Sequence, residues 1–320
     1  MTAADLALPQ RRVSGFSPLT IPLAVSRALP ALQACGGLRI RGAQAAVKTS
    51  ILGRLGSLGI RLASNAKEVR QAQRLRYQVF YEEMSAVPSS LMTLARRDID
   101  SYDAICDHLL VFDDCIGLDR RSGLQTVVGT YRLLRHRIAQ RNGGFYSANE
   151  FDLSALLAHQ RDLNFLELGR SCVLAGYRNK RTIELLWRGI WIYLVHHRCD
   201  VMIGCASFDG TDSDKLALPL SFLHHFAAAP PEWRATALPG RYVEMNRMPK
   251  DRIDAKKALR ELPPLIKGYL RIGAFVGDSA VIDHRFGTTD VFMILPVSLI
   301  QPRYINHFGS DTEQQALACA

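Results

Sequence analysis

The segment that most restricts how this chain can fold runs from Phe165 to Val195. An apolar stretch carrying Glu167 and Arg170 leads into the basic turn Gly176-Tyr177-Arg178-Asn179-Lys180-Arg181 and then an amphipathic run to His197. The first part reads as a strand over 165–173 and the last as a helix over 181–197. A helix N-terminus presents unpaired amides and partial positive charge, so this tip is suited to hold a phosphate beside whatever the strand delivers. The pairing of strand charges with an anion-holding tip points to acyl transfer from a phosphopantetheine carrier. Side chains alternate along a regular strand, so residues 167 and 170 would face opposite ways. If both serve one site, a bulge must interrupt the strand near Gly169.

The chain has 320 residues and a formal charge of +10, which favours acidic partners such as nucleic acid, an anionic membrane face or an acidic carrier protein. Seven scattered cysteines without C-x-x-C spacing indicate neither a disulfide framework nor a zinc knuckle, and fit a reducing cytoplasm. Adjacent His196-His197 and His224-His225 lack the i, i+4 spacing of a helical metal site, so no metal is expected. Cys172 has no neighbouring histidine in sequence and reads as a buried structural thiol. Glu184 and Arg188 interrupt the most apolar helix, which leaves only peripheral membrane contact. Residues 1–55 hold Arg11, Arg12, Arg27, Arg39, Arg41, Lys48 and Arg54 against Asp5 alone. Such a segment is a disordered arm, an interfacial one that leans on anionic lipid, or, third, an organelle transit peptide.

From Leu58 the pattern becomes regular. A short strand at 60–62 precedes a helix opened by Asn65 and Glu68, whose spacing is that of a capping box. That helix runs to about Met84 with Val69, Ala72, Leu75, Val79 and Phe80 on one stripe. Strands follow at 109–112 and 126–134, a short helix at 151–159, then the 165–173 strand and the 181–197 helix. A strand at 201–206, a helix at 212–226 and a strand at 242–247 complete the series. This order implies an α/β fold with a mixed central sheet flanked by helices on both faces. Residues 262–310 read as a strand-rich extension, with strands at 268–276, 281–283 and 291–295 and a turn at Gly277-Asp278; a tail, 311–320, ends the chain.

Aminolysis of a thioester needs a neutral amine, donors aimed at the developing oxyanion and a route for the proton. Glu167 is the candidate base, acting directly or through water; a structural ion pair at a sheet end is the competing reading. Arg178, Lys180 and Arg181 are candidates to bind the phosphate of a phosphopantetheine arm, against a merely solvated basic turn. The apolar face of the following helix is core, with part of it suited to an acyl chain.

Leu75-Arg76-Tyr77-Gln78-Val79-Phe80, Asp100-x-x-Asp103, Arg132 and Glu167-x-x-Arg170 resemble the signature of acyl-homoserine-lactone synthases, a branch of the GNAT acyltransferases. Over about Leu58 to Phe308 the chain looks closer to the L-ornithine N-alpha-acyltransferases of ornithine-lipid synthesis, the hemolysin-like acyltransferase group. The pieces that carry this are Leu75 to Met84, Glu167-Leu168-Gly169-Arg170-Ser171-Cys172-Val173, Pro263 to Arg271, and Phe286 to Val291. The resemblance implies a GNAT-like domain at 56–261 that moves a 3-hydroxyacyl group from acyl carrier protein to the alpha-amine of L-ornithine, with no permanently bound cofactor. It implies Glu167 as base or proton relay, with Arg76, Asp100, Asp103, Arg132 and Arg170 organising the site through charge pairing; an ion-pair lattice that stiffens the fold is the alternative. Asp278, Asp283 and Asp290 would receive the cationic ornithine side chain or simply form turns. The product, lyso-ornithine lipid, would pass to a partner O-acyltransferase at the inner face of the cytoplasmic membrane. The turn is poorer in glycine than is usual in GNAT proteins, which argues against free coenzyme A as donor. Two other readings stay open, an acyl-homoserine-lactone synthase or other GNAT N-acyltransferase, and a basic membrane- or nucleic-acid-binding module. The interleaving of acids with bases and the lack of a basic run with stacking aromatics argue against nucleic acid.

Overall fold

A computed structural model describes residues 51–84, 86–301 and 304. Most of the expected basic arm and the C-terminal tail lie outside the described residues. The last residues of that arm, Gly53–Leu55, form strand β1, which turns back antiparallel onto β2 (Leu58–Leu62). Helix α1 (Ala66–Tyr77) is capped by Asn65, whose Oδ1 accepts from the amides of Lys67 and Glu68. Glu68 accepts from the amide of Ser64, one position ahead of the expected capping-box partner. The helix then widens into a π-turn over Gln78–Glu83, a local defect that often accompanies functional sites.

A short helix α2 (Ser90–Ala95) precedes β3 (Asp107–Asp113) and β4 (Val127–Arg135). Next come α3 (His136–Arg141), β5 (Phe151–Asp152), α4 (Ser154–His159) and β6 (Phe165–Val173). Helix α5 (Lys180–His197) carries the chain across to β7 (Val201–Asp209). Helix α6 (Ala217–Phe226), β8 (Thr236–Ala237), β9 (Tyr242–Glu244) and α7 (Ala255–Glu261) follow. Helix α8 (Pro264–Ile272) leads to β10 (Phe275–Asp283) and β11 (Thr288–Pro296).

Nine strands form one sheet in the order β1-β2-β3-β4-β6-β7-β11-β10-β9. Every pairing is antiparallel except β6 with β7, which the α5 crossover makes parallel. The expected mixed α/β sheet is therefore present, and strands from the C-terminal extension sit within it. One face packs Ile60, Leu109, Tyr131, Leu133, Leu166 and Met293 against α5, α6 and α8. The other buries Phe145, Phe151, Phe165, Ile203 and Phe292 beneath α3 and α4, and carries α1 through Ala72, Leu75 and Cys172.

The structure corrects the expected layout of the extension. Residues 268–276 belong mainly to α8 and not to a strand. Pro264 in the first turn and Gly273 just past the end, at φ 106°, mark this helix, as proline and glycine commonly do at the two ends of helices. The expected turn at Gly277-Asp278 lies inside β10, where the register with β11 shifts between Val276 and Ala280. The helix expected over 212–226 begins only at Ala217.

Two irregularities in the central strands set up the site. Arg132 pairs with Gly169 and Thr130 with Cys172, so Arg170 and Ser171 together oppose Tyr131 alone. This is the bulge that a shared site for Glu167 and Arg170 requires, and Arg170 occupies left-handed backbone space at φ 53°. A long side chain there is strained and is held by its surroundings. The second irregularity is a parting of strands: β6 and β7 pair only from Phe165↔Val201 to Glu167↔Ile203 and then separate. At the vertex, a Cβ on Gly204 would sit 2.3 Å from the Leu168 carbonyl oxygen, so only glycine fits.

Candidate active site

Glu167 lies on β6 just before the strands part and is only 4% exposed. Its carboxylate accepts from the amides of Tyr146 and Ser147, both at 2.7 Å, and from the Ser147 hydroxyl at 2.5 Å. Burial pushes its pKa up, opposed by Ser147, the Tyr146 amide and Arg132. A carboxylate held this way is positioned and basic, two properties asked of a proton acceptor.

Three arginines and three aspartates interlock beside it. Arg76, fully buried, donates from Nε to Asp98 at 2.8 Å and from Nη2 to Asp103 at 2.8 Å. Arg132 donates to both oxygens of Asp100 at 2.7 Å and lies 3.5 Å from Asp103. Arg170 stands 3.3 Å from Asp98 and 3.5 Å from Asp100, and its Nη2 donates to the Tyr146 hydroxyl at 3.3 Å. Burial alone would raise Asp98, but Arg170 and Arg76 outweigh it and hold the group below its usual range. Arg76 and Arg132 do the same for Asp103. The Arg170 guanidinium is also sandwiched between the rings of Tyr146 and Phe286, at 4.9 and 4.8 Å.

The structure thus brings all six candidates from the central sequence, Arg76, Asp100, Asp103, Arg132, Glu167 and Arg170, into one buried region. Asp98, Tyr146 and Ser147 belong with them and were missed. Asp98 sits two positions before the Asp100-x-x-Asp103 signature, and proximity to that pair was its only signal.

A second group of carboxylates adjoins this region. One oxygen each from Glu150, Asp283 and Asp290 lie within 4.8 Å of one another. Burial, reinforced by Asp290, pushes Glu150 up to about 7, and burial likewise raises Asp290. Arg241 pairs with Glu150 at 3.3 Å. The Cys205 sulfur lies 3.4 Å from Glu150 and 3.6 Å from the Ser147 hydroxyl, its single S–H shared between them, and so links this cluster to Ser147, the hydrogen-bond partner of Glu167. Asp278 lies apart from the cluster: its carboxylate is taken by the Thr236 and Ser279 hydroxyls.

On the opposite face, the Tyr131 and Tyr269 hydroxyls meet at 3.1 Å in apolar surroundings, and Ser171 in the bulge bonds to Tyr131. Tyr269, Met202, Gly204 and Met293 line a void of about 10 Å³ where β6 and β7 part. The Cys172 thiol is held toward the Leu75 carbonyl, and burial outweighs the nearby Arg76 and Arg178 and pushes its pKa up, which leaves it an inert thiol.

The phosphate candidates divide. Arg178 is committed to Glu83 at 2.5 Å and to the Val173 carbonyl at 2.9 Å. Lys180 and Arg181 are exposed at the α5 tip, where Asn179 caps the amide of Thr182.

Residues 75–188 match the family model described as an acetyltransferase (GNAT) domain. The L-ornithine N(alpha)-acyltransferase of Agrobacterium fabrum (strain C58) is 52% identical over 265 residues, covering 82% of this chain and 89% of that protein. The protein of the same name from Rhizobium meliloti (strain 1021) is 52% identical over 272 residues, 85% of this chain and 91% of its own. Among solved structures, the AHL synthase LasI aligns with 14% identity and a TM-score of 0.40, over 79% of this chain and 95% of that one. The residues gathered around Glu167 thus belong to an N-acyltransferase of the GNAT class, and the chain is a member of the L-ornithine N(alpha)-acyltransferase family.

Proposed function

We propose that the protein transfers a 3-hydroxyacyl group from acyl carrier protein to the alpha-amine of L-ornithine, forming lyso-ornithine lipid. The observation that supports this reading is the adjacency of two unlike groups: a positioned carboxylate at Glu167, and a carboxylate cluster linked to it through Cys205 and Ser147. The cluster of Glu150, Asp283 and Asp290 receives the side-chain ammonium of ornithine, which leaves the alpha-amine toward Glu167. The neutral amine nitrogen attacks the thioester carbonyl, Glu167 takes its proton directly or through water, the carbon–sulfur bond breaks, and the same proton passes on to the departing sulfur, releasing the carrier thiol and restoring the carboxylate. Arg76, Asp100, Asp103, Arg132 and Arg170 keep the charged wall of the site in register.

The donor arm lies in the parting between β6 and β7, where unpaired strand edges offer amide partners, and its phosphate rests at the α5 tip with Lys180 and Arg181. The acyl chain displaces Met202 and Met293, flexible side chains suited to such rearrangement. The three hydroxyls of Ser171, Tyr131 and Tyr269 hold three O–H donors but only two bonds among themselves, so one donor remains for the 3-hydroxyl. The net positive charge suits an acidic carrier. The reaction takes place in the cytoplasm, where the product enters the inner face of the membrane and passes to the O-acyltransferase. The test is to incubate purified protein with 3-hydroxyacyl carrier protein and ornithine and to identify the product by mass spectrometry. An N-alpha-acylornithine supports the reading; turnover with another amine in preference to ornithine overturns it.

A further inference from the structure

Between Met84 and Ala95 the chain carries no charged residue. Four of its large apolar side chains face outward: Met84 is 50% exposed, Val87 64%, Leu91 64% and Leu94 86%. One such residue is ordinary; four within eleven positions form a patch that calls for an occupant. The inner side of the same segment roofs the site. Met92 and Ala86 are buried with Tyr77, Tyr81 and Phe286, and Phe286 is the ring stacked on Arg170. Arg285 ties the roof down through the Tyr81 hydroxyl at 2.6 Å and the Met92 sulfur.

The base of this tip is cationic. Its flanking acids are already paired, Glu82 with Arg96 and Glu83 with Arg178. The Glu83 pair brings the turn bearing Lys180 and Arg181 beside the tip, and both of those side chains are exposed. Apolar side chains projecting beside the two exposed cations Lys180 and Arg181 match an anionic phospholipid surface, apolar groups entering the acyl boundary while the cations meet headgroups.

We propose that Met84, Val87, Leu91 and Leu94 form a membrane-docking tip that seats the roof of the active site on an anionic bilayer. This contact uses residues other than those of the basic N-terminal segment and does not depend on the identity of the acceptor. It gives an N-acylated amphiphile a short path from the site into lipid.

The experiment is sedimentation of the full-length protein with phosphatidylglycerol vesicles and with phosphatidylcholine vesicles, for the natural chain and for Leu91→Asp/Leu94→Asp. The natural chain should prefer the anionic vesicles, and the double variant should bind them about tenfold more weakly while keeping its rate on soluble substrates. A Leu94→Trp variant should show blue-shifted fluorescence on the same vesicles. Equal sedimentation of natural and double-variant protein, or an unshifted spectrum from the Leu94→Trp protein, overturns the proposal. So does a natural dimer that the double variant splits in light scattering, which would assign the tip to self-association. Vesicle binding that persists while carrier-dependent turnover is lost would assign it to the carrier protein and equally overturn it.

Discussion

Arg76 and Arg170 converge on one carboxylate: Asp98 accepts from the first at 2.8 Å and stands 3.3 Å from the second. One guanidinium comes from α1 and the other from the bulge of β6, so this aspartate ties the helix to the distorted strand. Asp98→Asn strands buried positive charge and should cost about 3–5 kcal/mol, the range for breaking a buried ion pair by removing one partner. Urea unfolding measures it; a loss below about 1 kcal/mol would show that the lattice tolerates an uncharged centre.

The same lattice fixes how acid destabilises the protein. Asp98 and Asp103 are held below their ordinary value of 3.8. Their contribution is present above the unfolded-state pKa and is lost as pH falls through the lower folded-state values. Melting temperature should drop steeply below about pH 4, and the drop should be shallower in Asp98→Asn. Identical acid limbs in thermal scans of the two proteins would refute this.

Glu150, pushed up to about 7 by burial and Asp290, titrates where enzymes work. Protonated, it offers an ornithine ammonium no charge. Calorimetric affinity for ornithine should therefore strengthen as pH rises from about 6 to about 8, and Glu150→Gln should be weak and flat across that range. A pH-independent affinity in the natural protein would move the ammonium site elsewhere. The sign for stability is opposite to that of Asp98: a raised carboxyl favours folding at low pH and loses that advantage as pH climbs through about 7.

Glu167→Gln retains the shape of the side chain and an oxygen for Ser147 but cannot take a proton. Turnover should fall roughly 10²–10⁴-fold, with circular dichroism unchanged. A rate near that of the natural protein would remove Glu167 from the proton path.

Reversing Lys180 and Arg181 to glutamate should raise the Michaelis constant for acyl carrier protein and leave the ornithine constant alone. Arg178 is the less informative target, since its loss also frees Glu83 and the Val173 carbonyl. An unchanged carrier constant would place donor docking away from the α5 tip.

The central strand was legible from its charges. Asking that Glu167 and Arg170 share a site demands a bulge near Gly169, and the bulge falls at Arg170 and Ser171. Asp98 was hidden because its partners lie 22 and 72 positions away, and nothing local distinguishes a buried aspartate from a turn-forming one. Tyr146, Ser147 and Glu150 were hidden for another reason. They sit on or beside a single 3₁₀ turn over Tyr146–Asn149, too short to show any periodicity. Helix α8 was misread although Pro264 and Gly273 mark both its ends, because the apolar residues between them also suit a strand.

The three-pair ladder between β6 and β7 has a mechanical meaning. It leaves the sheet as two leaves on a short spine, with Glu167 on one leaf and Asp283 and Asp290 on the other. On the proposed reading, a donor arm laid along the gap would be the rung that the leaves lack. Loading the enzyme would then set the span between the proton acceptor and the anchor for the amine, so that the two substrates measure each other through the frame of the protein.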